Sequence, residues 1–356
     1  MIKTFEEVFE DKTKYGTKIK TEQYQKEGKN IIIDQGKEII SGYTDIQEGL
    51  FEDVPVIIFG DHTRIIKYVD RPFFLGADGV KILKSKFKDA NYKYLYYALR
   101  NIKIPNTGYN RHFKWLKEVE IEYPEIEIQT NIVKVLDKIV HIMNVKRKEI
   151  NNLNTLIKSR FTEMFGDPVS NSYDLPEATL SDLGEFGRGV SKHRPRNDIK
   201  LLGGKYPLIQ TGDIANAGLY ITSYSNTYSE LGLRQSKMWD KGTLCITIAA
   251  NIAKTAILEF DACFPDSVVG FIANKRTNNI FIHYWFSFFQ AILESQAPES
   301  AQKNINLKIL SELKVIVPEK RKQDEFASFV KLIDKLKSHF LKLPVFPGLY
   351  VVKYTY

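Results

Sequence analysis

The chain has 356 residues, 43% of them hydrophobic and 26% charged, and 51 lysines and arginines against 43 acidic residues give a formal charge of +8. This balance excludes a disordered chain, a collagen-like chain and a disulfide-rich miniprotein, and the length predicts two domains. The two cysteines, Cys245 and Cys263, lack CxxC spacing, which excludes a zinc ribbon and favours a reducing, cytoplasmic location. The basic excess is compatible with nucleic acid binding without establishing it.

No segment of the sequence has the pattern of a targeting or membrane-spanning element. Residues 1–16 mix acids and bases and lack the apolar core of a signal or transit peptide. The longest apolar stretch, 280–293, is interrupted by polar residues and is too short to span a bilayer. We therefore expect a cytoplasmic protein with no membrane partner.

Each half of the sequence has the same order of predicted elements. Short runs of β-branched and aromatic residues are separated by turn residues and followed by one aromatic helix and a strand that ends at a proline. The predicted strands are 30–34, 56–59, 64–69 and 79–83 in the first half and 206–210, 243–248, 255–260 and 268–273 in the second. The predicted fold class is α+β.

The two halves are copies of one domain, because they align residue by residue. The matched positions include Val119 with Leu313, Pro124 with Pro318, Gln129 with Gln323, 76–80 with 264–268 and 91–97 with 279–285. Asp78 thereby falls on Asp266. The sequence predicts two tandem, internally repeated mixed α/β domains.

A helix with a heptad pattern follows each copy. The apolar seam consists of Ile132, Leu136, Ile139, Met143, Ile150, Leu153 and Ile157 in the first helix and of Phe326, Phe329, Ile333 and Leu336 in the second. We predict that the helices pair as an antiparallel coiled coil; the alternative is that each stripe covers its own domain's core. From Ile132 to Phe165 the first helix would extend about 50 Å, longer than a small domain is wide.

Motifs for catalysis are absent from the sequence. It has no GxxxxGK[ST] loop, no GxGxxG, no HExxH and no GxSxG, and its six histidines lack metal-ligand spacing. We expect a binding protein with no catalytic residue, metal or cofactor of its own. An enzyme with an unfamiliar site at 261–266 is the alternative from another class.

The loops of both copies are rich in side chains that can bond phosphates or base edges. The candidate DNA-binding residues are Lys18, Lys20, His62, Thr63, Arg64, Asn106, Tyr109, Arg111 and His112 in the first copy and Lys192, His193, Arg194, Arg196, Gln210, Thr211, Asn251, Lys254, Gln302, Lys303 and Asn304 in the second. For any one of them an ordinary solvated loop is the alternative. Two unlike loop sets on a helical spacer predict a bipartite duplex target, with halves roughly fifteen base pairs apart.

The chain resembles the DNA-specificity subunits of type I restriction-modification enzymes along nearly its whole length. The resemblance rests on DQG at 34–36, GYTD at 42–45, IFGDHT at 58–63, LGADG at 75–79, FTEMFGDP at 161–168 and YPLIQTGDI at 206–214. It implies two target-recognition domains, 1–125 and 168–318, a central spacer helix, 126–167, and a second spacer helix, 319–343, followed by an irregular tail, 344–356.

The resemblance also implies the partners. Each domain would read one half of the target on double-stranded DNA, and the helices would dock DNA methyltransferase subunits, which bind S-adenosylmethionine and methylate adenine. Restriction motor-nuclease subunits would supply the chemistry that uses ATP and Mg²⁺. None of these cofactors is expected in this chain, which would be a non-catalytic specificity subunit.

One feature departs from the family pattern. The second helix loses its apolar stepping after Phe340, where Pro344 and Pro347 prevent continuation, whereas the family's two helices are usually of comparable length. This mismatch motivates the hypothesis of a truncated or rearranged member that could self-associate. The alternatives for function are a specificity subunit of another restriction system, a decayed DNA-binding reader and a coiled-coil scaffold without nucleic acid.

Overall fold

The computed structural model describes residues 1–76, 78–108, 110–196, 198–249, 252–289, 292 and 305–341. The chain forms two compact units: the first covers Met1–Val145, and the second begins at Lys146. Each unit contains both strands and helices, which confirms the predicted α+β class. Within the described ranges, no helix is long and apolar enough to cross a membrane. The predicted tail 344–356 lies outside the described residues.

The first unit contains nine strands and the first part of a long helix among its described residues. Its elements are β1 (Ile2–Thr4), α1 (Phe5–Val8), β2 (Phe9–Asp11), β3 (Asn30–Ile33), β4 (Gly42–Thr44), β5 (Val56–Gly60), β6 (Ile66–Val69), β7 (Phe73–Leu75), β8 (Val80–Ser85), α2 (Tyr92–Asn101), α3 (Phe113–Lys117), β9 (Glu120–Glu122) and α4 (Ile126–Phe165). The strands form a sheet in the order β2-β8-β5-β6, a sheet in the order β4-β3-β7 and the pair β1-β9.

The central strand β5 is buried along its whole length because it separates two hydrophobic clusters. Successive side chains of a strand point to opposite faces. Ile57 and Phe59 accordingly pack with Leu95 and Leu99 of α2. The alternate residues Val56 and Ile58 pack in the other cluster with Ile31, Ile33, Phe73, Leu75 and Ile82. This double burial explains why the sequence there is continuously apolar.

The second unit repeats this plan. Its elements are the end of α4, then β10 (Glu177–Thr179), β11 (Gly184–Arg188), β12 (Leu202–Leu208), α5 (Thr211–Asn216), β13 (Tyr220–Ile221), β14 (Asn226–Tyr228), α6 (Glu230–Arg234), β15 (Met238–Trp239), β16 (Leu244–Thr247), β17 (Thr255–Leu258), β18 (Ala262–Cys263), β19 (Val268–Ala273), α7 (Asn279–Trp285), α8 (Leu307–Glu312), β20 (Lys314–Ile316) and α9 (Lys320–Leu341).

Strand pairing in the two units follows one topology. The order β11-β19-β16-β17 repeats β2-β8-β5-β6, the order β14-β12-β18 repeats β4-β3-β7, and β10-β20 repeats β1-β9. One matched pair is parallel in both units: β3-β7 in the first and β12-β18 in the second. All pairs within β2-β8-β5-β6 and within β11-β19-β16-β17 are antiparallel. The internal repeat predicted from the sequence is therefore confirmed in the fold.

The same hydrogen bond holds the beginning of the long helix in each copy. The side-chain amide of Gln129 donates to the carbonyl oxygen of Pro124 over 2.8 Å, and that of Gln323 donates to Pro318 over 2.8 Å. Both glutamines are buried, at 1% and 0% exposure. At its other end, α4 stops at Gly166, whose φ of +73° is a left-handed conformation that favours glycine.

The residues of the predicted seam do not share one environment. Ile132 is 37% exposed while its neighbour Val133 is buried in the first unit's core, and Leu336 is 44% exposed. Phe326 and Ile333, in contrast, are buried in the core of the second unit. The buried face of α9 therefore covers its own unit, because the aromatic residues of α7 offer that face a large apolar surface.

The end of α4 enters the same core. Ile157, Phe161 and Phe165 are fully buried there. The rings of Phe161 and Phe165 contact the ring of Phe326 with centroids 5.4 and 5.7 Å apart, which joins the two helices within the second unit. Near this contact Arg160 lies 3.6 Å from the carboxylate of Glu325.

Candidate nucleic-acid interface

A chain of contacts joins five loops of the first unit: Lys18 contacts Asp78, Arg64 contacts Ile104, and the loops of Asp78 and Arg64 both contact Gln35. Its amide nitrogen donates to the carbonyl oxygen of Asp78 over 2.9 Å, and its amide oxygen accepts the backbone N–H of His62 over 3.2 Å. The Gln35 carbonyl accepts from the hydroxyl of Thr63 over 2.7 Å. We define the first loop cluster as 17–20, 34–36, 61–64, 78–79 and 104–112 except 109. Predicted residues from three of these segments, 17–20, 61–64 and 104–112, therefore meet here.

Four cations lie in this first loop cluster: Lys18, Lys20, Arg64 and Arg111. Lys18 contacts the carboxylate of Asp78 over 2.5 Å. This hydrogen bond and the charge of Lys18, with a weaker effect of the Arg111 charge, lower the pKa of the Asp78 carboxyl. Arg64 donates to the carbonyl oxygen of Ile104 over 3.3 Å, and its φ of +62° is uncommon outside glycine and typical of functional loops.

His112 differs from its predicted role as a DNA contact. Its side chain has 0% exposure, and its ring nitrogens lie 3.0 Å from the carbonyl oxygen of Asp61 and 3.4 Å from the hydroxyl of Thr107. The buried Asp61 carboxylate accepts the backbone N–H of Phe113 over 2.7 Å, at the beginning of α3. His112 and Asp61 thus hold the loop in place, and a ring without solvent access cannot reach a base.

The other candidate DNA-binding residues of the first copy are exposed or lie outside the described residues. Asn106 is exposed, and its side-chain oxygen accepts the backbone N–H of Gly108 over 3.2 Å. Lys20 is also exposed and begins a short 3₁₀ turn. Tyr109 lies outside the described residues.

The second unit brings the equivalent loops together. The backbone N–H of Ile209 donates to Cys263, that of Gly189 donates to Val268, and that of Ile248 donates to Ser267, over 2.9, 2.8 and 3.0 Å. We define the second loop cluster as 188–196, 209–213, 248–249, 252–254 and 264–268. By the repeat alignment, its last segment corresponds to 76–80 of the first copy.

Arginines surround Asp266 in the second loop cluster. The Nη2 atom of Arg196 lies 2.6 Å from the Oδ1 atom of Asp266, and that of Arg194 lies 3.8 Å from Oδ2. The Nε atom of Arg188 donates to the backbone oxygen of Asp266 over 2.5 Å. Arg188, at the end of β11, was not among the predicted residues, and no periodicity or motif in its glycine-rich segment marks it.

The other predicted residues of the second copy are solvated or partly buried. Gln210 is exposed at the beginning of α5, Thr211 is half-buried beside it, and Lys254 is exposed. The backbone N–H groups of Lys192 and His193 both donate to the side-chain oxygen of Gln235, over 2.7 and 3.1 Å. Asn251, Gln302, Lys303 and Asn304 lie outside the described residues.

The described part of the chain contains no cluster of three or more histidine, cysteine, aspartate or glutamate side chains that could hold a metal ion. Both cysteines are buried, and burial raises the pKa of each thiol. The polar groups that the fold gathers are instead cations and amides, which suit an anionic ligand. The fold and its clusters define a duplicated domain protein with a cationic loop surface in each copy.

The comparisons with known proteins agree with this class. The family described as Type I restriction modification DNA specificity domain matches residues 1–155 and 174–342, and the chain belongs to this family. It is 23% identical to the type I restriction enzyme EcoR124I/EcoR124II specificity subunit of Escherichia coli, over 92% of this chain and 84% of that protein.

Two further relatives extend the comparison. The chain is 23% identical to a candidate type I restriction enzyme MjaX specificity subunit of Methanocaldococcus jannaschii, over 77% of this chain and 68% of the relative. The crystal structure of a type I restriction-modification S subunit from M. genitalium matches with a TM-score of 0.56 and 17% identity, over 96% of this chain and 91% of that one. This structural match concerns the fold.

Proposed function

We propose that this chain reads a bipartite DNA duplex, one half through each loop cluster, and directs adenine methylation by methyltransferase subunits bound to it. The observation that carries the proposal is that cations gather around the matched acidic residues Asp78 and Asp266 in both units: Lys18 and Arg111 in the first, and Arg188, Arg194 and Arg196 in the second. Lysine and arginine neutralise phosphates, and arginine also bonds guanine edges. Because the clusters differ in sequence, the two halves of the target should differ.

An exposed apolar stripe on α4 supports the docking of a partner protein. Ile128, Ile132, Val135 and Ile142 are 51%, 37%, 55% and 51% exposed, and their spacing of four, three and seven places them on one side of the helix. We call these residues the α4 stripe. Contiguous exposed apolar residues on a helix typically mark a protein interaction site. We assign this site to the methyltransferase subunits.

The chemistry in this proposal belongs to the partners. The chain would act without a catalytic residue or cofactor of its own. S-adenosylmethionine would bind the methyltransferase, and ATP and Mg²⁺ would bind the motor-nuclease subunits of the restriction complex. The shorter α9, 22 residues against 40 in α4, leaves self-association as a further expectation that light scattering of the purified chain tests.

The deciding experiment is methylome sequencing of cells that express the chain with its cognate methyltransferase. We expect adenine methylation at one split sequence word with two unlike halves. Cells that express the methyltransferase without the chain are the control and should lack this methylation. A methylome without a split word, while the two proteins form a complex, would contradict the proposal.

A further inference from the structure

The cation network around Asp266 is built on a single carboxylate. Arg196, Arg194 and Arg188 all contact Asp266, through its carboxylate or its backbone oxygen. Three guanidinium charges against one carboxylate leave a net charge of +2. The carboxylate therefore does not neutralise the group, and the cluster stays attractive to an anionic ligand.

Arg196 is held at one nitrogen and keeps its other donors. Its Nη2 atom lies 2.6 and 2.8 Å from the two carboxylate oxygens of Asp266. Its side chain is 47% exposed, and within the described ranges no other hydrogen bond acceptor contacts it. Guanidinium has five N–H donors in a planar fork, so most of them stay available to a ligand. The carboxylate restricts the rotamers of Arg196 before any ligand arrives, which lowers the entropy cost of binding.

The repeat supplies a natural comparison. At the matching position of the first unit, Asp78 contacts Lys18 over 2.5 Å. The position of the acid is thus kept, but the cation differs. A lysine ammonium is a point charge with rotatable donors, whereas an arginine fork can make two parallel hydrogen bonds to the O6 and N7 atoms of guanine.

We propose that Asp266 is a specificity-determining residue, which orients Arg196 for a two-bond contact to a guanine edge in the half-site read by the second unit. The inference rests on the proposed function and names one of its determinants. Asp266 acts through Arg196 and is in that sense a positioning residue. Lys18, held by Asp78, contributes charge to binding in the first unit without the same selectivity.

The test compares methylomes of cells that express the methyltransferase with the wild-type chain, Asp266→Asn, Arg196→Lys or Asp240→Asn. Asp266→Asn keeps the size of the side chain and removes its charge, and Arg196→Lys keeps the charge and removes the fork. Both should make one guanine position degenerate in one half of the word and leave the other half unchanged. Asp240→Asn, at an exposed position of the second unit outside both loop clusters, is the control and should keep the word.

Binding of purified complexes to duplexes that carry the wild-type word, or that word with the guanine replaced, measures the same effect. We expect the preference for the correct duplex to fall at least about fivefold in both variants of the second unit. Thermal unfolding checks that the variants fold, and Arg196→Lys carries the test if Asp266→Asn does not fold.

One result would contradict the role of Asp266 alone, and another would contradict the proposed function. If both variants of the second unit keep the full word and only lower the methylated fraction at all sites, Asp266 has no role in specificity, although the proposed function stands. If the wild-type chain directs no sequence-specific methylation, the proposed function fails and the inference fails with it.

Discussion

His283 is a titratable side chain inside the second unit that plays no part in the proposed DNA contacts. It lies on α7, and its Nδ1 atom is 2.9 Å from the hydroxyl of Thr255 on β17. Burial, together with the positive charge of Lys337, lowers the pKa of His283 to about 4, although the hydrogen bond with Thr255 opposes the shift. The folded protein therefore keeps this imidazole neutral at pH values where the unfolded chain protonates it.

We expect acid to destabilise the second unit through His283. Because the unfolded histidine binds its proton near pH 6.5 and the folded one near pH 4, the free energy of unfolding should fall by about 2 kcal/mol from pH 7 to pH 5. Urea unfolding of the wild type and of His283→Gln at both pH values measures this loss, which the variant should lack. His141→Gln, at an exposed position of α4, is the control; equal pH dependence in all three proteins would contradict the assignment.

The paired glutamines give a second prediction for single residues. Beyond its bond to Pro318, Gln323 accepts from the hydroxyl of Thr277 over 2.9 Å and donates to the carbonyl oxygen of Arg276 over 3.0 Å. Replacing a buried hydrogen-bonding group leaves its partners unsatisfied, at about 1–3 kcal/mol. Gln323→Ala should therefore cost the second unit more stability than Gln129→Ala costs the first. Denaturant midpoints of the two unfolding transitions decide this, and equal losses would count against it.

The sequence predicts the residue types of the loops but not the position of each side chain. His112 is a predicted DNA contact because it lies in a loop rich in polar and basic residues, but it is buried against Asp61, 51 residues earlier in the chain. Arg188 was not predicted because the residue that it contacts, Asp266, lies 78 residues later in the chain. Contacts over such separations leave no local pattern.

At the scale of elements, we predict that substitutions in the α4 stripe weaken binding of the methyltransferase without affecting the folding of the chain. Val135→Lys together with Ile142→Lys places charges on exposed positions, so the chain should fold as before. Burial of two ammonium groups against an apolar partner surface should weaken the methyltransferase complex at least roughly tenfold. Titration calorimetry measures the affinity.

The matched control for the stripe is Ile39→Lys, because Ile39 is 64% exposed in a loop between β3 and β4. This variant should bind the methyltransferase like the wild type. An unchanged affinity of the stripe variant would assign the docking surface to another part of the chain.

The strands that the sequence predicted are long enough to show a pattern. All eight overlap an observed strand; for example, 56–59 lies within β5, and 268–273 is β19. Most of the strands that were not predicted are too short for an alternation of apolar and polar positions: β13, β15 and β18 have two residues each, and β1, β2, β4, β7, β10 and β14 have three. The five-residue β11, Gly184–Arg188, was missed as well, because its glycines give no strand pattern. The exposure of Ile132 was also not predicted. Its neighbour Val133 fits a helical repeat of apolar residues as well as Ile132 does, and it is Val133 that the structure buries.

For the whole molecule, phosphate contacts predict a steep dependence of DNA affinity on salt. The logarithm of the association constant should fall linearly with the logarithm of salt concentration, and each lost phosphate contact should reduce the slope by about 1. Lys254→Ala, in the second loop cluster, should show this reduction, whereas Lys335→Ala on α9 should not. Fluorescence anisotropy with a labelled duplex measures both. Affinity that is independent of salt would favour a scaffold without nucleic acid.

The duplication could be predicted from the sequence, because aligning Pro124 and Gln129 with Pro318 and Gln323 requires no coordinates. The surface on which each helical stripe packs could not be predicted, because the same heptad pattern is expected for a coiled coil and for a helix that covers a domain core. In the structure Phe326 of α9 packs both on Tyr284 of α7 and on Phe161 and Phe165 of α4, so this helix covers its own unit and also contacts the other helix. Long-range packing, rather than local propensity, supplies that information.

The burial pattern of α4 also bears on how such proteins can change over generations. Val133 belongs to one core and Ile157 to the other, while Asn144, Arg147 and Asn151 between them face solvent. Genetic exchange with a crossover in this stretch would separate the two cores, so the buried contacts of the described residues in each core would stay among residues from one parent. A recombinant could thus acquire a foreign half without first needing compensatory mutations in the half it retains.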